Sequence, residues 1–436
     1  MSIPKRCDVL VIGGGPAGSS VAALLAKQGV EVVLLEKALH PRAQVGESLI
    51  PHVWKYADLT GVSALIEQEG FVAKAGGITV WNDKISRIAF SEFGFDRPAL
   101  HVERDIFDHL LLKHAASLGA QVFEQVAVRD VNLDLESPEV VYQDRRGGEV
   151  CENSIRCIVV IDASGASALL AGQLKSKRLI NSSMRFLSLW GHFKNSRYVD
   201  AEGQSHPASE VQKIKPITFV TSYEEGWIWH IAMRQVASVG LVINTDTARL
   251  MDKQQRERYF LETLQSAPYV NQLLKCAEYI PDSFSQRPDY SYYSTQLCGE
   301  NFYCIGDAAS FVDPIYSHGV LNAFYNACMT SYAVIESLKQ PDFRSRYAQL
   351  CENRIRQFYG FSRSLALGGL GGGDGVDAEL VRRFMRQVPA VELELMLAAS
   401  FMSERSENFQ RLVADAGLNN QATARAKAHV MTGLRI

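Results

Sequence analysis

The chain has 436 residues, 47% of them hydrophobic and 21% charged, enough for a large core and for roughly two to three domain-sized units. With 45 Lys and Arg against 48 Asp and Glu, the formal net charge is −3, so no broad electrostatic pull toward nucleic acid follows. The 8 cysteines (Cys7, Cys151, Cys157, Cys276, Cys298, Cys304, Cys328 and Cys351) are scattered without a CxxC pair, several of them in apolar strand-like segments. That pattern points to buried thiols in a reducing compartment rather than to disulfides or a metal site. The apolar run near the N-terminus reads as a strand rather than a signal peptide, and no segment approaches the ~18 uninterrupted apolar residues of a spanning helix. A cytoplasmic protein with no membrane span and no bound metal is expected.

In chain order, Asp8-Val-Leu-Val-Ile12 is an apolar run suited to a buried parallel strand, and it enters Gly13-Gly-Gly15-Pro-Ala17-Gly18. An amphipathic segment with Val21, Leu24 and Leu25 follows, then a second apolar strand, Val32–Leu35, ending on Glu36-Lys37. Gly13 permits the tight turn, Gly15 lets backbone approach a pyrophosphate, and Gly18 lets the helix pack on the strand. The helix N-terminus points unpaired N–H groups at the phosphates, and the Glu36 carboxylate can accept from a ribose. Strand, glycine turn, helix, strand and terminal acid in this order predict an adenine dinucleotide site.

Further along, Gly46-Glu47-Ser48 forms a loop, and Lys74 lies in Gly70-Phe-Val-Ala-Lys74-Ala-Gly76, where composition alone reads it as a solvated surface lysine. Arg104 reads as a surface residue starting a helix over Asp105–Leu118; a strand follows Gly119, then a β-meander turning near Arg145–Gly148. Ile158–Ile161 is a short buried strand running into Asp162-Ala-Ser-Gly165. Alternating patterns at Ile217–Thr221 and Val239–Ile243 read as antiparallel strands. In Glu225-Gly-Trp227-Ile-Trp229-His-Ile231-Ala232, alternation places Trp227, Trp229 and Ile231 on one face, where they read as core aromatics. Asn301–Ile305 is a strand ending in Gly306-Asp307-Ala-Ala309; Gly306 lets backbone come close to a ligand and Asp307 can bind a hydroxyl. The loop Pro314–Gly319 and Val320 lead into a helix over Leu321–Leu338. Phe343–Leu367 and Val391–Met402 are amphipathic, and Gly368–Gly375 between them reads as a flexible connector, or more sharply as a flap at the substrate entrance.

The set Gly13-x-Gly15-x-x-Gly18, Asp162-Ala-Ser-Gly165 and Gly306-Asp307-Ala-Ala309 resembles the FAD-dependent monooxygenases of the hydroxybenzoate-hydroxylase fold. Within that group, Val45-Gly46-Glu47-Ser48-Leu-Ile-Pro51 and Phe311-Val-Asp313-Pro314-Ile-Tyr-Ser317-His318-Gly319-Val320 look like the flavin-dependent halogenase branch. Over residues 5 to 340 the resemblance implies an α/β fold: a Rossmann-like FAD-binding domain, an inserted antiparallel-sheet substrate domain and a helical C-terminal region. The FAD domain takes residues 1–75, 101–175 and 290–340, the substrate sheet 76–100 and 176–289, and the helical region 341–436. By the same likeness FAD is held by Gly13, Gly15, Ala17, Gly18, Glu36, Lys37, Glu47, Ser48, Arg104, Asp162, Gly306, Asp307, Pro314, Gly319 and Val320. Asp307 meets the ribityl chain, and the helix dipole after Gly319 favours the reduced anionic flavin.

The resemblance reverses the reading of Lys74: it faces the substrate and manages the oxidised halogen species, its ammonium donating to a peroxide oxygen or to hypohalous acid. Trp227 and Trp229 match a Trp-x-Trp-x-Ile-Pro signature and form a wall between flavin and substrate. No second GxGxxG occurs, which favours an external flavin reductase as electron donor. Two departures stand out. Ala232 replaces the signature proline, and His318 occupies a position usually small and hydroxylic beside halide-binding amides, where it can crowd the halide or act as an acid/base near neutral pH. The expectation is therefore an FAD-dependent monooxygenase that uses O2, through a flavin C4a-hydroperoxide, to hydroxylate an electron-rich aromatic ring. Lys74 is the first catalytic candidate and His318 the second. The ring includes indoles, free or held in a peptide or protein, as in the branch's peptidyl-tryptophan hydroxylase of tryptophylquinone biogenesis. The alternatives are a halogenase with the same flavin chemistry, an isoprenoid double-bond reductase, and a non-enzymatic FAD-binding partner protein.

Overall fold

The computed structural model describes residues 2–134, 136–179, 186–288, 291–312, 314–370, 429–431 and 434. Arg6–Ile12 is the strand its apolar run predicts, with Val9, Leu10 and Val11 fully buried. It lies inside a sheet ordered Gln121–Glu124, Val32–Glu36, Arg6–Ile12, Cys151–Asp162, Glu139–Asp144 and Val126–Asn132, with Phe302–Cys304 also paired to Cys151–Asp162. The strand Cys151–Asp162 serves two partners. Its exposed first half pairs antiparallel with Glu139–Asp144, completing the meander, and its buried second half runs parallel to Arg6–Ile12 and to Phe302–Cys304. Helices Pro16–Lys27, Arg104–Ser117 and Gly319–Lys339 pack together over this sheet. The carboxyl ends of four parallel strands therefore bring the Gly13 turn, Glu36, Asp162 and Gly306 to one edge, where open α/β sheets bind ligands.

A second sheet is ordered Glu278–Pro288, Phe186–Lys194, Ala237–Asn244, Gly226–Ala232, Ile217–Tyr223, Gly76–Trp81, Lys84–Ala89 and His429–Met431. It departs from the expected antiparallel pattern at one place: Gly76–Trp81 and Ile217–Tyr223 run parallel, because two separate stretches of chain enter the sheet in the same sense. Period-2 alternation splits its faces cleanly. Phe219, Ile228, Val239 and Leu241 pack against helices Lys253–Ser266 and Pro268–Leu274 through Phe260, Leu264, Val270 and Leu273. On the other face Val220, Trp227, Trp229, Ile231 and Val242 join Ile315, with Val45 and Tyr316 at the margin. The tryptophan wall thus meets the Gly46 loop and the Pro314–Gly319 loop, as core aromatics at a junction between the sheets.

Arg344–Leu370 is one helix on the flank of Gly319–Lys339, and it carries through Gly368 and Gly369 rather than breaking there. Gly371–Gly375 and the expected helix Val391–Met402 lie outside the described residues. Among the described residues, no helix is long and apolar enough to cross a membrane.

Candidate cofactor and active site

The glycine turn separates structural from ligand-facing positions. Gly13 has φ +102°, and a Cβ there would lie 2.5 Å from the Ala163 carbonyl oxygen, so this glycine is required by the fold. A Cβ on Gly18 would drive into the Gly13 carbonyl, which is why the helix can sit so close to the turn. At Gly15 a Cβ meets only the end of the Arg42 side chain, at 3.5 Å, leaving a cradle that the protein itself does not fill. Gly15 is also the N-cap of Pro16–Lys27, and no side chain caps that helix. Ala17 faces the other turn: a Cβ on Gly306, which has φ +59°, would stand 3.0 Å from the Ala17 Cβ.

The acids divide in the same way. Glu36 is buried and accepts from Gly14 N at 2.6 Å and Ala38 N at 2.8 Å, one bond per oxygen, which fixes it beneath the turn with lone pairs to spare. Lys37 is exposed and reaches Ser167 Oγ at 3.3 Å. Asp162 accepts from Ser164 N (2.9 Å) and Leu170 N (2.8 Å), again one bond per oxygen, which anchors its own loop, and burial pushes its pKa up. Asp307 remains about a quarter exposed, with Arg287 Nη2 3.5 Å away; burial raises its pKa while Arg287 and Arg104 pull it back. An open glycine cradle at an uncapped helix N-terminus, a fixed acid at the second strand and an accessible aspartate at the Gly306 turn fit the pyrophosphate, ribose and ribityl parts of FAD. Gly15→Val is expected to fold with near-wild-type thermal stability yet purify without the yellow flavin; full FAD absorbance in that variant overturns the role of Gly15.

Arg104 is not a surface residue. It is 7% exposed, because the helix start is covered by the Gly46 loop. Its guanidinium pairs with Asp108 (Nε–Oδ1 2.8 Å, Nη2–Oδ2 3.0 Å) and donates to the Val45 and Gly46 carbonyls at 2.9 and 3.2 Å. Gly46 takes φ +109° to allow this approach. The carboxylate of Glu47 is held by Gly46 N (2.9 Å) and by Ser238 Oγ (3.1 Å), and Ser238 lies beside the Trp229 indole.

Lys74 is also buried, at 3% exposure, since Val72–Lys74 pairs with Ala99–His101 under the Ser48 loop. Its amine donates to Ser48 Oγ (2.8 Å) and the Leu49 carbonyl (3.1 Å) and sits 5.3 Å from the Phe90 ring centroid. Burial lowers its pKa to about 7. Ser48 Oγ further accepts from Ser317 Oγ at 2.9 Å, which ties Lys74 to the Pro314–Gly319 loop at the start of helix Gly319–Lys339. Ser48 also meets Thr218 Oγ1 at 2.8 Å, and Thr218 meets His101 Nε2 at 2.9 Å. Ser317, Thr218 and His101 carry no local sequence signal for these roles: Ser317 and Ser48 are 269 residues apart, and Thr218 and Ser48 170.

His318 corrects an expectation. It is buried, its Nδ1 has no hydrogen-bond partner among the described residues, and burial lowers its pKa to about 4. The imidazole is therefore neutral at pH 7 and not poised as an acid/base there; its bulk at the helix start remains. Trp227 and Trp229 stand with ring centroids 5.6 Å apart, and the Trp227 Nε1–H finds no acceptor among the described residues.

The fold and site define a dinucleotide-binding flavoprotein, and the comparisons with known proteins agree. The FAD binding domain family matches residues 6–339. Tryptophan 2-halogenase of Chondromyces crocatus is 34% identical over 337 residues, covering 77% of this chain and 62% of the halogenase. The chain thus spans about three-fifths of that relative's length. The 1H-pyrrole-2-carbonyl-[peptidyl-carrier protein] chlorinase of Pseudomonas fluorescens is 33% identical over 381 residues, covering 81% of this chain and 82% of the chlorinase. The solved structure of the myxobacterial chondrochloren halogenase superposes with a TM-score of 0.76 at 26% identity, covering 97% of both chains. The chain belongs to the FAD binding domain family, in its flavin-dependent halogenase-like branch, and its cofactor is FAD.

Proposed function

We propose that this chain uses reduced FAD and O2 to direct an electrophilic oxidant at an electron-rich aromatic ring, and that the ring is halogenated. The observation that carries the reading is Lys74: a buried amine that donates to the Ser48 hydroxyl, which in turn accepts from Ser317 of the Pro314–Gly319 loop. Bound FAD would supply the two-electron reduction of O2, fed by an external flavin reductase. This chain's residues do the rest. Gly15, Glu36 and Asp307 bind and orient the cofactor, and Trp227, Trp229 and Ile315 exclude water. The ammonium of Lys74 donates a hydrogen bond to the oxidant and holds its reactive atom toward the substrate. Indole and pyrrole rings, free or carried on a peptide or carrier protein, are the proposed substrates, in line with the tryptophan and carrier-bound pyrrole named for two relatives.

Hydroxylation, which the sequence places first, becomes the second reading, because the named relatives are halogenases. One observation still favours it: the N-cap of helix Gly319–Lys339, the end of a helix where an anion is best held, is a buried histidine, His318, rather than a small residue. A charged amine is foreign to the greasy pocket that reduction of an isoprenoid double bond requires.

Lys74 gives the reading a pH signature. If the ammonium is the donor, product formation falls as pH rises through about 7, where Lys74 loses its proton. Stability moves the other way. Between that value and the ordinary lysine range the unfolded chain binds a proton that the folded chain does not, so unfolding free energy rises with pH over this window. Product yield with chemically reduced FAD and denaturation midpoints, both followed across pH 6 to 9, check the opposed slopes; parallel slopes overturn the assignment.

A further inference from the structure

The Ser48 hydroxyl belongs to a longer chain of hydrogen bonds whose direction is fixed at one end. His101 is fully buried, and its Nδ1 lies 2.9 Å from the Ala232 carbonyl oxygen. A carbonyl can only accept, so Nδ1 carries the hydrogen, and in the neutral ring Nε2 must accept. Its partner at 2.9 Å is Thr218, which therefore donates to His101. The Thr218 oxygen, its proton spent, accepts from Ser48 at 2.8 Å. Ser48 in turn accepts from Lys74 at 2.8 Å and Ser317 at 2.9 Å. Every hydroxyl in the chain has one defined direction, and all of them point from Lys74 toward His101.

We propose that His101 is a positioning residue that ends a dry proton relay, Lys74–Ser48–Thr218–His101, and that Lys74 and His101 share one proton between them. In the transfer, the Lys74 Nζ–H bond breaks as its proton passes to Ser48. Ser48 passes its own proton to Thr218 and Thr218 its own to His101 Nε2, so the total charge is unchanged. The result is a neutral amine and an imidazolium that donates to Thr218 and to the Ala232 carbonyl. The reverse passage restores the ammonium without admitting water. Lys74 can then alternate between ammonium and amine during turnover, with its proton held on His101 in the meantime rather than lost to water.

The geometry is held by backbone. Ser48 bridges His101, the Val102 amide donates to the Glu47 carbonyl at 2.8 Å, and Lys74 pairs with Ala99, so the loop and both short strands form one ladder. The surrounding charges also suit a single shared proton. His101 is faced by Lys74 and by His230 of the strand Gly226–Ala232; burial first, and then Lys74, hold its pKa well below the ordinary histidine value. His230 is itself buried and lowered to about 4, so it adds no competing charge at neutral pH. The Glu47 carboxylate beside Ser48 is already engaged by Gly46 and Ser238. Two cations so close in an apolar pocket repel each other, so an imidazolium forms only when Lys74 has released its proton.

The inference rests on the catalytic reading of Lys74, yet its first test needs no turnover. In the FAD-loaded protein with 15N-labelled histidine, His101 is expected to show the Nδ1–H tautomer at neutral pH, with an Nε2 shift typical of an acceptor. That shift should move in Thr218→Val, which keeps shape and removes the hydroxyl, and return in Thr218→Ser. An Nε2–H tautomer in the wild type overturns the relay, as does an Nε2 shift unaffected by Thr218→Val. The second test is kinetic. Thr218→Val should retain FAD absorbance and KM, lose at least about tenfold in kcat, and displace the alkaline limb of the pH profile, with Thr218→Ser restoring both. A wild-type rate and profile in Thr218→Val also overturns it. Should the wild type form no product at all, the functional reading fails while the tautomer measurement still decides whether the relay exists.

Discussion

Lys74→Met is expected to bind FAD normally and to lose at least about tenfold in product formation, the scale on which a positioned acid acts. Methionine matches the length of the lysine stem and can keep packing against Phe90, but it has no proton to donate. The variant leaves the Leu49 carbonyl without the donor that now lies 3.1 Å away, and leaves Ser48 with Ser317 and Thr218 as partners. Each buried acceptor so stranded costs about 1–3 kcal/mol. Removing an amine that burial holds partly deprotonated returns some of that, so the fold survives. The flavin spectrum and a binding titration establish cofactor retention, and product mass spectrometry after anaerobic reduction and O2 addition reads the yield. An unchanged yield returns Lys74 to a packing role and removes the main support for the catalytic reading.

The parts of the molecule legible in the sequence are those built from neighbours in the chain. The strand, glycine turn, helix and acid over Arg6–Glu36 sit within one βαβ unit, and the alternation of Trp227, Trp229 and Ile231 follows from strand pleating alone. Burial of charged residues is a different matter. Nothing near Lys74 or Arg104 says that the Gly46 loop will close over both, so local composition puts each on the surface. A resemblance recovers Lys74 but not its partners. His101 reaches the Ala232 carbonyl 131 residues on and Thr218 117 residues on, contacts created only when the second sheet docks. Asp162 adds a role that its strand-end position does not announce: each carboxylate oxygen accepts one bond from the backbone of its own loop, as Glu36 does at the glycine turn. For His318, sequence identifies an unusual residue in the right loop, and only the packing around it decides that the ring is neutral at pH 7.

The proposed choice between halogen and oxygen is tested at that loop. Supplied with reduced FAD, O2 and bromide, the holoenzyme is expected to brominate an indole or pyrrole probe, with the yield rising with bromide and a paired isotope pattern in the product. The energetics turn on the anion. A halide leaving water needs donors to replace its hydration, and the free N–H groups at the start of helix Gly319–Lys339 are the available ones. His318 works against this by bulk rather than by charge, since its ring is neutral at pH 7 and its Nδ1 is unpartnered among the described residues. His318→Thr is therefore expected to raise bromination relative to oxygenation by at least about tenfold, the equivalent of about 1.4 kcal/mol at the anion, while FAD binding stays intact. Free tryptophan, a tryptophan-containing peptide and a carrier-bound pyrrole serve as separate probes, because each presents its ring from a different attachment. Oxygenated product that forms equally with and without bromide, in the wild type and in His318→Thr, overturns halogenation and establishes the hydroxylase. Product that is brominated only after His318→Thr assigns the native enzyme to oxygen transfer and makes the imidazole the residue that excludes halide.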